Sequence, residues 1–298
     1  MAIRPWRWLA ALALCAAVLA GAACGGDDDE GDSGGPAAEA PAFPDGSTMD
    51  KIQDRGKIIV GTKFDQPLFG LKNPTNDEIE GFDVEIAKRI AEGIFGEGNA
   101  DGKVQFVETP SKVRETVIRQ GRVDVVVATY TINDERKQQV DFAGPYYVAG
   151  QDIMVRADED GIASVDDLNG RKVCSAQGST SIDNVREKAP QADLSITFDL
   201  YSLCAEALQD GRVDAVSTDN GILAGLVQAS DGKLKLVEAP FTEEPYGIGL
   251  KKGDDAFRAF LNDRIEAIED DGSWEEAFKS TVGTVISEVP EPPAIDRY

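Results

Sequence analysis

The sequence predicts an α/β fold of two lobes, each a mostly parallel sheet with flanking helices, joined by a two-strand hinge. Three observations carry that prediction. Short apolar stretches alternate with amphipathic helical ones through the body of the chain. The pattern restarts near residue 172, as a second lobe would require. An internal echo links the halves: Gln120-Gly121-Arg122-Val123-Asp124-Val125-Val126 is answered by Asp210-Gly211-Arg212-Val213-Asp214-Ala215-Val216.

The elements follow in order. Residues 57–61 read as a buried strand. From Gly81 onward Phe82, Ile86, Ile90 and Ile94 recur every four residues, with Ala87 and Ala91 beside them, which is a helix with one face in a core. Residues 104–107 form a strand, 114–119 a helix and 123–128 a buried strand, and this β-α-β-α-β order implies parallel pairing. In the second half, 172–174, 194–198 and 213–216 read as strands, with helices at 181–187 and 203–208. Each copy of the echo ends a helix at Gly and launches a strand that finishes in polar residues, Thr129 and Thr131 in one, Thr218 and Asp219 in the other. Ligands of open α/β sheets gather at such carboxyl ends. A final strand, 246–250, precedes a helix with Phe257, Phe260, Leu261, Ile265 and Ile268 at helical spacing. Lobe 1 is thus 51–145 plus 247–285, lobe 2 is 151–241, and the crossings at 146–150 and 242–246 form a hinge able to open and close.

The ends differ from the body. Arg4 and Arg7 precede a 16-residue uncharged run, 8–23, too short for the roughly 20 residues of a membrane span but suited to an export signal. An N-terminal anchor helix is the competing reading. Cys24 follows Gly21-Ala22-Ala23 and opens a Gly/Asp-rich stretch, 24–50, with eight acids and no Lys or Arg, expected to be a disordered tether. Residues 286–298 are expected to trail along the surface.

Composition excludes several functions. The 298 residues hold 30 Lys+Arg against 54 Asp+Glu, a net charge of −24, which argues against nucleic-acid binding through a basic surface. There is no histidine, which removes Ser-His-Asp and Cys-His catalysis and His-ligated zinc. No metal or other cofactor is expected. Cys174 and Cys204 remain once Cys15 leaves with the signal and Cys24 is set aside. An exported chain sits where disulfides form, so the two can pair; two buried free thiols are the alternative, and the lack of a CxxC motif counts against a redox pair.

Several segments resemble a known family: Gly61-Thr62-Lys63-Phe64-Asp65-Gln66-Pro67, Gly81-Phe82-Asp83-Val84, the T-x-x-x-x-R run from Thr131 to Arg136, the D-F-x-x-P-Y-Y run from Asp141 to Tyr147, and Glu243-Glu244-Pro245-Tyr246-Gly247-Ile248. They are similar to family 3 solute-binding proteins of amino-acid ABC importers, over roughly residues 51–285, with most likeness to the glutamate-binding subgroup. That subgroup often carries a pair of the Cys174/Cys204 kind. The resemblance implies a type II periplasmic-binding-protein-like fold, a monomer, and permease and ATPase partners in the membrane. The 21–24 run resembles a lipobox, with Gly21 where Leu is usual. It implies acylation of Cys24 and a lipid anchor on the outer face of the bacterial cytoplasmic membrane; the bland reading is ordinary cleavage and release.

The resemblance also implies a site. Arg136 can fork onto a ligand α-carboxylate, helped by Thr131 and by the helix start at Ser179 and Thr180. Asp219 and Thr129 take the α-ammonium. For the side chain, Ser111 and Arg114 match an S-x-x-R element of acidic amino-acid binders, with Lys63 as a second cation and Tyr201 from lobe 2. Two cations would not favour an amide, so glutamate is the expected ligand, aspartate the next, and glutamine the alternative. An enzyme on the same fold, a lyase or dehydratase, is the competing class; it would need an acid of raised pKa in the cleft, and no paired-carboxylate motif stands out. A surface charge is the plain reading of Arg136, and a partner of Glu115 or Glu108 that of Arg114.

Overall fold

The computed structural model describes residues 39–298. The proposed signal, Cys15, Cys24 and residues 24–38 of the tether lie outside the described residues. The tether reading extends too far at its other end, because helix α1 (Thr48–Arg55) begins inside it. Ser47 caps that helix by accepting from the Asp50 amide, and Met49 and Ile52 are buried.

Lobe 1 continues with β1 (Ile58–Thr62), then a small antiparallel sheet of β2 (Asp65–Gln66), β3 (Gly70–Lys72) and β4 (Ile79–Glu80) that the sequence did not reveal. Then come α2 (Phe82–Phe95), β5 (Val104–Glu108), α3 (Arg114–Arg119), β6 (Val125–Val126), α4 (Asp134–Lys137) and β7 (Asp141–Ala149). Lobe 2 holds β8 (Gln151–Arg156), β9 (Val173–Cys174), α5 (Thr180–Lys188), α6 (Tyr201–Gln209), β10 (Ala215–Asp219), α7 (Asn220–Gln228) and β11 (Leu234–Leu236). The chain returns to lobe 1 through β12 (Glu244–Leu250), α8 (Asp255–Asp270) and α9 (Ser273–Ser280).

The main sheets run β5-β1-β6-β12-β7 and β11-β8-β10-β9. They are mixed rather than mostly parallel. β1 lies parallel to β5 and β6, and β9 parallel to β10, as the βαβ order implies. β12 runs antiparallel to both β6 and β7, and β8 antiparallel to β10 and β11. The reason is connectivity: only Gly150 separates β7 from β8, so no helix crosses over at that step. Two expected strands also differ. Residues 194–198 form no strand: the stretch meets the β9 edge only through isolated bridges at Asp193, just before it, and at Phe198. Residues 123–128 shorten to β6, because the chain leaves the sheet toward Thr129, whose φ is +44°.

Phe82, fully buried as its helical spacing implies, sits among Phe69, Trp274 and Phe278 at centroid distances of 6.4, 5.6 and 6.0 Å. Edge-on packing of this kind adds to the burial of the rings themselves. Trp274 Nε1 donates to the Tyr146 carbonyl at 2.8 Å, tying α9 to β7. The last residues follow the surface of lobe 1: Ile286, Val289 and Ile295 pack against the core, and the Phe142 amide donates to Tyr298 Oη.

Cys174 and Cys204 form a disulfide that joins β9 to α6 across 30 residues of sequence. A loop of that length contributes about 3.6 kcal/mol in the chain-entropy picture. Replacing both cysteines with serine is therefore expected to lower the unfolding free energy by about 3–4 kcal/mol, measured in urea.

Candidate ligand-binding site

Side chains from both lobes converge between the carboxyl ends of their strands. β1 delivers Lys63 just past its end. The turn before α3 supplies Ser111, and α3 itself begins with Arg114. The stretch after β6 supplies Thr129 and Thr131, and α4 supplies Arg136. Lobe 2 contributes Ser179 and Thr180 at the start of α5, Tyr201 at the start of α6, and Asp219 at the end of β10. The cations are almost wholly covered: Lys63 is 2% exposed, Arg114 3% and Arg136 6%. Neither arginine is the solvated surface charge that residue statistics favour.

Each cation is held differently. Arg136 Nη1 donates to the Thr131 carbonyl at 2.6 Å, and Nε lies 3.4 Å from Glu115 Oε1. Arg114 pairs with neither Glu115 nor Glu108; its Nη1 donates to the carbonyls of Ala128 and Thr129 at 3.0 and 3.1 Å. Both guanidiniums lie over the ring of Tyr130, at 4.2 Å for Arg114 and 5.0 Å for Arg136. Lys63 Nζ has one hydrogen-bond partner among the described residues, Ser111 Oγ at 2.8 Å. Burial, then the positive charge of Arg114, lower the Lys63 pKa to about 7. Burial, with Arg114 second, lowers that of Arg136 to about 10.

The acids oppose them. Asp219 Oδ2 accepts from Tyr246 Oη at 2.5 Å, while Oδ1 is buried and unpartnered among the described residues. Burial, then the nearby Glu244 carboxylate, raise its pKa to about 7. The Ser179 and Thr180 hydroxyls are engaged within the protein, Ser179 with the Ala176 carbonyl and Thr180 with Glu244 Oε2. The Ser179 amide also donates to the Ala176 carbonyl, at 3.3 Å, so a share in a ligand would come from the Thr180 amide that opens α5. Tyr201 Oη donates to Ser181 Oγ at 3.2 Å. The Thr129 hydroxyl donates to the Ala128 carbonyl at 2.8 Å.

Three residues given no role from the sequence belong here. Asp83 accepts from the Thr129 amide at 2.8 Å and from Tyr146 Oη at 2.6 Å, and so pins the backbone that presents carbonyls to Arg114. Glu244 accepts from Thr180, Asn184 and Thr242, all at 2.9 Å, joining the returning strand to α5. Tyr130 is the shared floor of the two arginines. No local sequence signal marked Asp83: an acid in the first turn of a helix that also carries Glu85, Lys88, Arg89 and Glu92 reads as an ordinary solvated charge.

The lobes touch around this cluster. Arg136 Nη2 lies 3.4 Å from the Gly178 carbonyl, Lys112 pairs with Asp199 at 2.5 Å, and the Ser202 amide donates to Asp65. A cleft of about 230 Å³ runs along the junction, lined by Lys112, Glu115, Arg136 and Gly178 to Thr180. Among the described residues, Arg114 Nε, Gln66 Nε2 and Asp219 Oδ1 are buried without a hydrogen-bond partner. Clustered cations near a buried carboxylate are a charge arrangement complementary to a small zwitterion.

Comparison with known proteins shows the family. Residues 58–284 match the family described as bacterial extracellular solute-binding proteins, family 3, and the chain belongs to that family. It is 42% identical over 275 residues to an ABC transporter glutamine-binding protein of Bacillus subtilis, covering 92% of this chain and 96% of that protein. It is 39% identical over 283 residues to a glutamate-binding protein of Corynebacterium efficiens, covering 92% and 90%. Among solved structures, an ancestral arginine-binding protein bound to glutamine superposes with a TM-score of 0.70 at 37% identity, covering 77% of this chain and 99% of that one.

Gly178 shows how tightly the lobes meet. Its φ is +74°, and a Cβ there would lie 2.6 Å from Lys112 Cα on the other lobe. Backbone cannot yield as a flexible side chain can. Gly178→Ala is expected to weaken ligand binding by about tenfold or more, read by calorimetry, while far-ultraviolet circular dichroism stays unchanged.

Proposed function

We propose that this protein captures an acidic amino acid, glutamate first and aspartate second, by closing its two lobes, and hands it to the permease and ATPase subunits of an ABC importer. The observation that carries the acidic choice is Lys63. A buried ammonium whose one hydrogen-bond partner among the described residues is a serine hydroxyl, beside Arg114, calls for an anion. A distal carboxylate offers only acceptors and matches these donors; a carboxamide would turn its own NH2 toward cations. In this reading Arg136, Thr131 and the start of α5 hold the α-carboxylate, and Asp219 with Thr129 holds the α-ammonium. Lys63, Ser111, Arg114 and Tyr201 surround the side chain. The glutamate-binding name of the Corynebacterium relative supports it, and the glutamine-binding name of the Bacillus relative keeps glutamine as the second reading. Acylation at Cys24 would hold a monomeric body near its permease at the outer face of the cytoplasmic membrane. We read the site as binding rather than catalytic: the raised pKa of Asp219 comes from burial and Glu244, its open Oδ1 is the atom this reading gives to the ligand ammonium, and the chain has no histidine.

Calorimetry of the purified protein against the common amino acids tests this. Heat is expected with glutamate; none with either acidic amino acid overturns the proposal. Lys63→Met is expected to weaken glutamate by at least about tenfold and glutamine far less, because it removes one partner of a buried charge pair. Equal losses would argue against Lys63 as the selector.

The pKa shifts give a further signature. Lys63 must be protonated to attract the side-chain carboxylate, so glutamate affinity falls as pH rises above about 7. Asp219 must be ionised to hold the ammonium, so affinity for any amino acid falls as pH drops below about 7. Dissociation constants measured from pH 5.5 to 8.5 are expected to trace a bell for glutamate and only the acid limb for glutamine.

A further inference from the structure

Arg136 rides on a single helical turn. α4 has four residues, and its one side-chain cap is Asn133, which accepts from the Arg136 amide at 2.8 Å. A turn that short has almost no stability of its own. A group that must meet a carboxylate by a two-point fork tolerates only fractions of an ångström of error. Thr131 and Glu115 hold the guanidinium from within the cleft, so something has to hold the turn from outside.

The last residues described do so. Lys137, next to Arg136, pairs through Nζ with Asp296 Oδ2 at 3.0 Å and lies 3.9 Å from the centroid of the Tyr298 ring. Arg258 of α8 lies over the same ring at 4.5 Å. The segment is itself fixed at several points. The Asp296 amide donates to the Gly144 carbonyl at 2.9 Å, and Tyr298 Oη accepts from the Phe142 amide at 2.8 Å. Arg297 Nη2 reaches Asp263 and Glu266 of α8, each at 2.7 Å. Ile295 packs on the core. The bonds of Asp296 and Tyr298 fall on β7, shortly after α4, so one segment grips Lys137 and the strand that follows it, on the carboxyl side of Arg136.

We propose that residues 295–298 form a strap that positions Arg136, with Lys137 as the handle it grips. Any one of these exposed ion pairs is worth little in water. The strap works because the cation over the ring and the ion pair act together on one short turn, while two backbone hydrogen bonds fix the strap itself to β7. It rests on the reading that Arg136 takes the ligand α-carboxylate. Because the α-carboxylate is common to all amino acids, loosening the strap changes affinity without changing selectivity, unlike a change at Lys63.

Two measurements on the full chain test it: amide hydrogen exchange at residues 134–140 without ligand, and dissociation constants for glutamate and glutamine. Lys137→Met and Tyr298→Ala are each expected to speed that exchange, and to weaken both amino acids by one common factor, of about fivefold. Lys137→Arg, which keeps a cation over the ring and beside Asp296, should restore both. Unchanged exchange at 134–140, or a lower melting temperature with exchange and affinity intact, overturns the proposal. Arg136→Lys separates the two layers. If it spares affinity, the role given to Arg136 is wrong; if it abolishes binding while Lys137→Met leaves affinity untouched, the strap is wrong.

Discussion

Three positive side chains, Lys63, Arg114 and Arg136, are buried together within range of one another's charge. Each would lose many kcal/mol on leaving water without compensation. The local architecture is largely the answer to that problem. Backbone carbonyls of Ala128, Thr129 and Thr131 serve as acceptors, and the Tyr130 ring receives both guanidiniums. Aiming those carbonyls inward takes the chain out of the sheet after two residues of β6. It also puts Thr129, a β-branched residue, in the left-handed region at a cost on the order of 1–3 kcal/mol. Asp83, held by Tyr146, secures the Thr129 amide in that conformation. The lysine has the least compensation, and it is there that the surroundings favour an anion most.

The same arrangement reconciles the site with a chain of net charge −24. Most of the acids lie on solvated surfaces, where salt screens them within about 8–10 Å. The cations sit where water is scarce and local fields are strong. An anionic ligand therefore meets a weakly repulsive exterior and a strongly attractive interior. Of the carboxylates near the cations, Glu115 is tied to Arg136 and Tyr130, and Glu244 to hydroxyls and an amide of lobe 2 and the returning strand.

How much of this could be read from sequence depends on whether a residue's role is local. Helical periodicity placed Phe82 in the core and located α2, α3 and α8 closely, because the apolar face repeats within one segment. The strand-end rule brought Thr129, Thr131 and Asp219 to the cleft. Arg114, Arg136 and Lys63 carried a motif likeness. Asp83 and Glu244 stood inside quoted motifs and still received no role, because their partners lie 46 and 64 residues away. The antiparallel strands were lost for a related reason: a direction change at a single glycine leaves periodicity untouched. Residues 194–198 failed in the other direction, since an apolar alternation there meets no full partner strand.

The path of the chain through the two sheets has a consequence for how the molecule is made. Lobe 2 is continuous in sequence, from β8 to β11, and its disulfide is internal to it. Lobe 1 is split: β12 enters last and takes the place between β6 and β7 in the middle of its sheet. As a chain threaded out of a cell amino end first, lobe 2 can collapse and oxidise while the residues that complete lobe 1 are still unexported. Until β12 arrives, β6 and β7 lack the strand that separates them, and their open edges are templates for wrong pairing. The topology thus allows the later lobe to be finished first, with the earlier one closed only when β12 and the helices after it arrive.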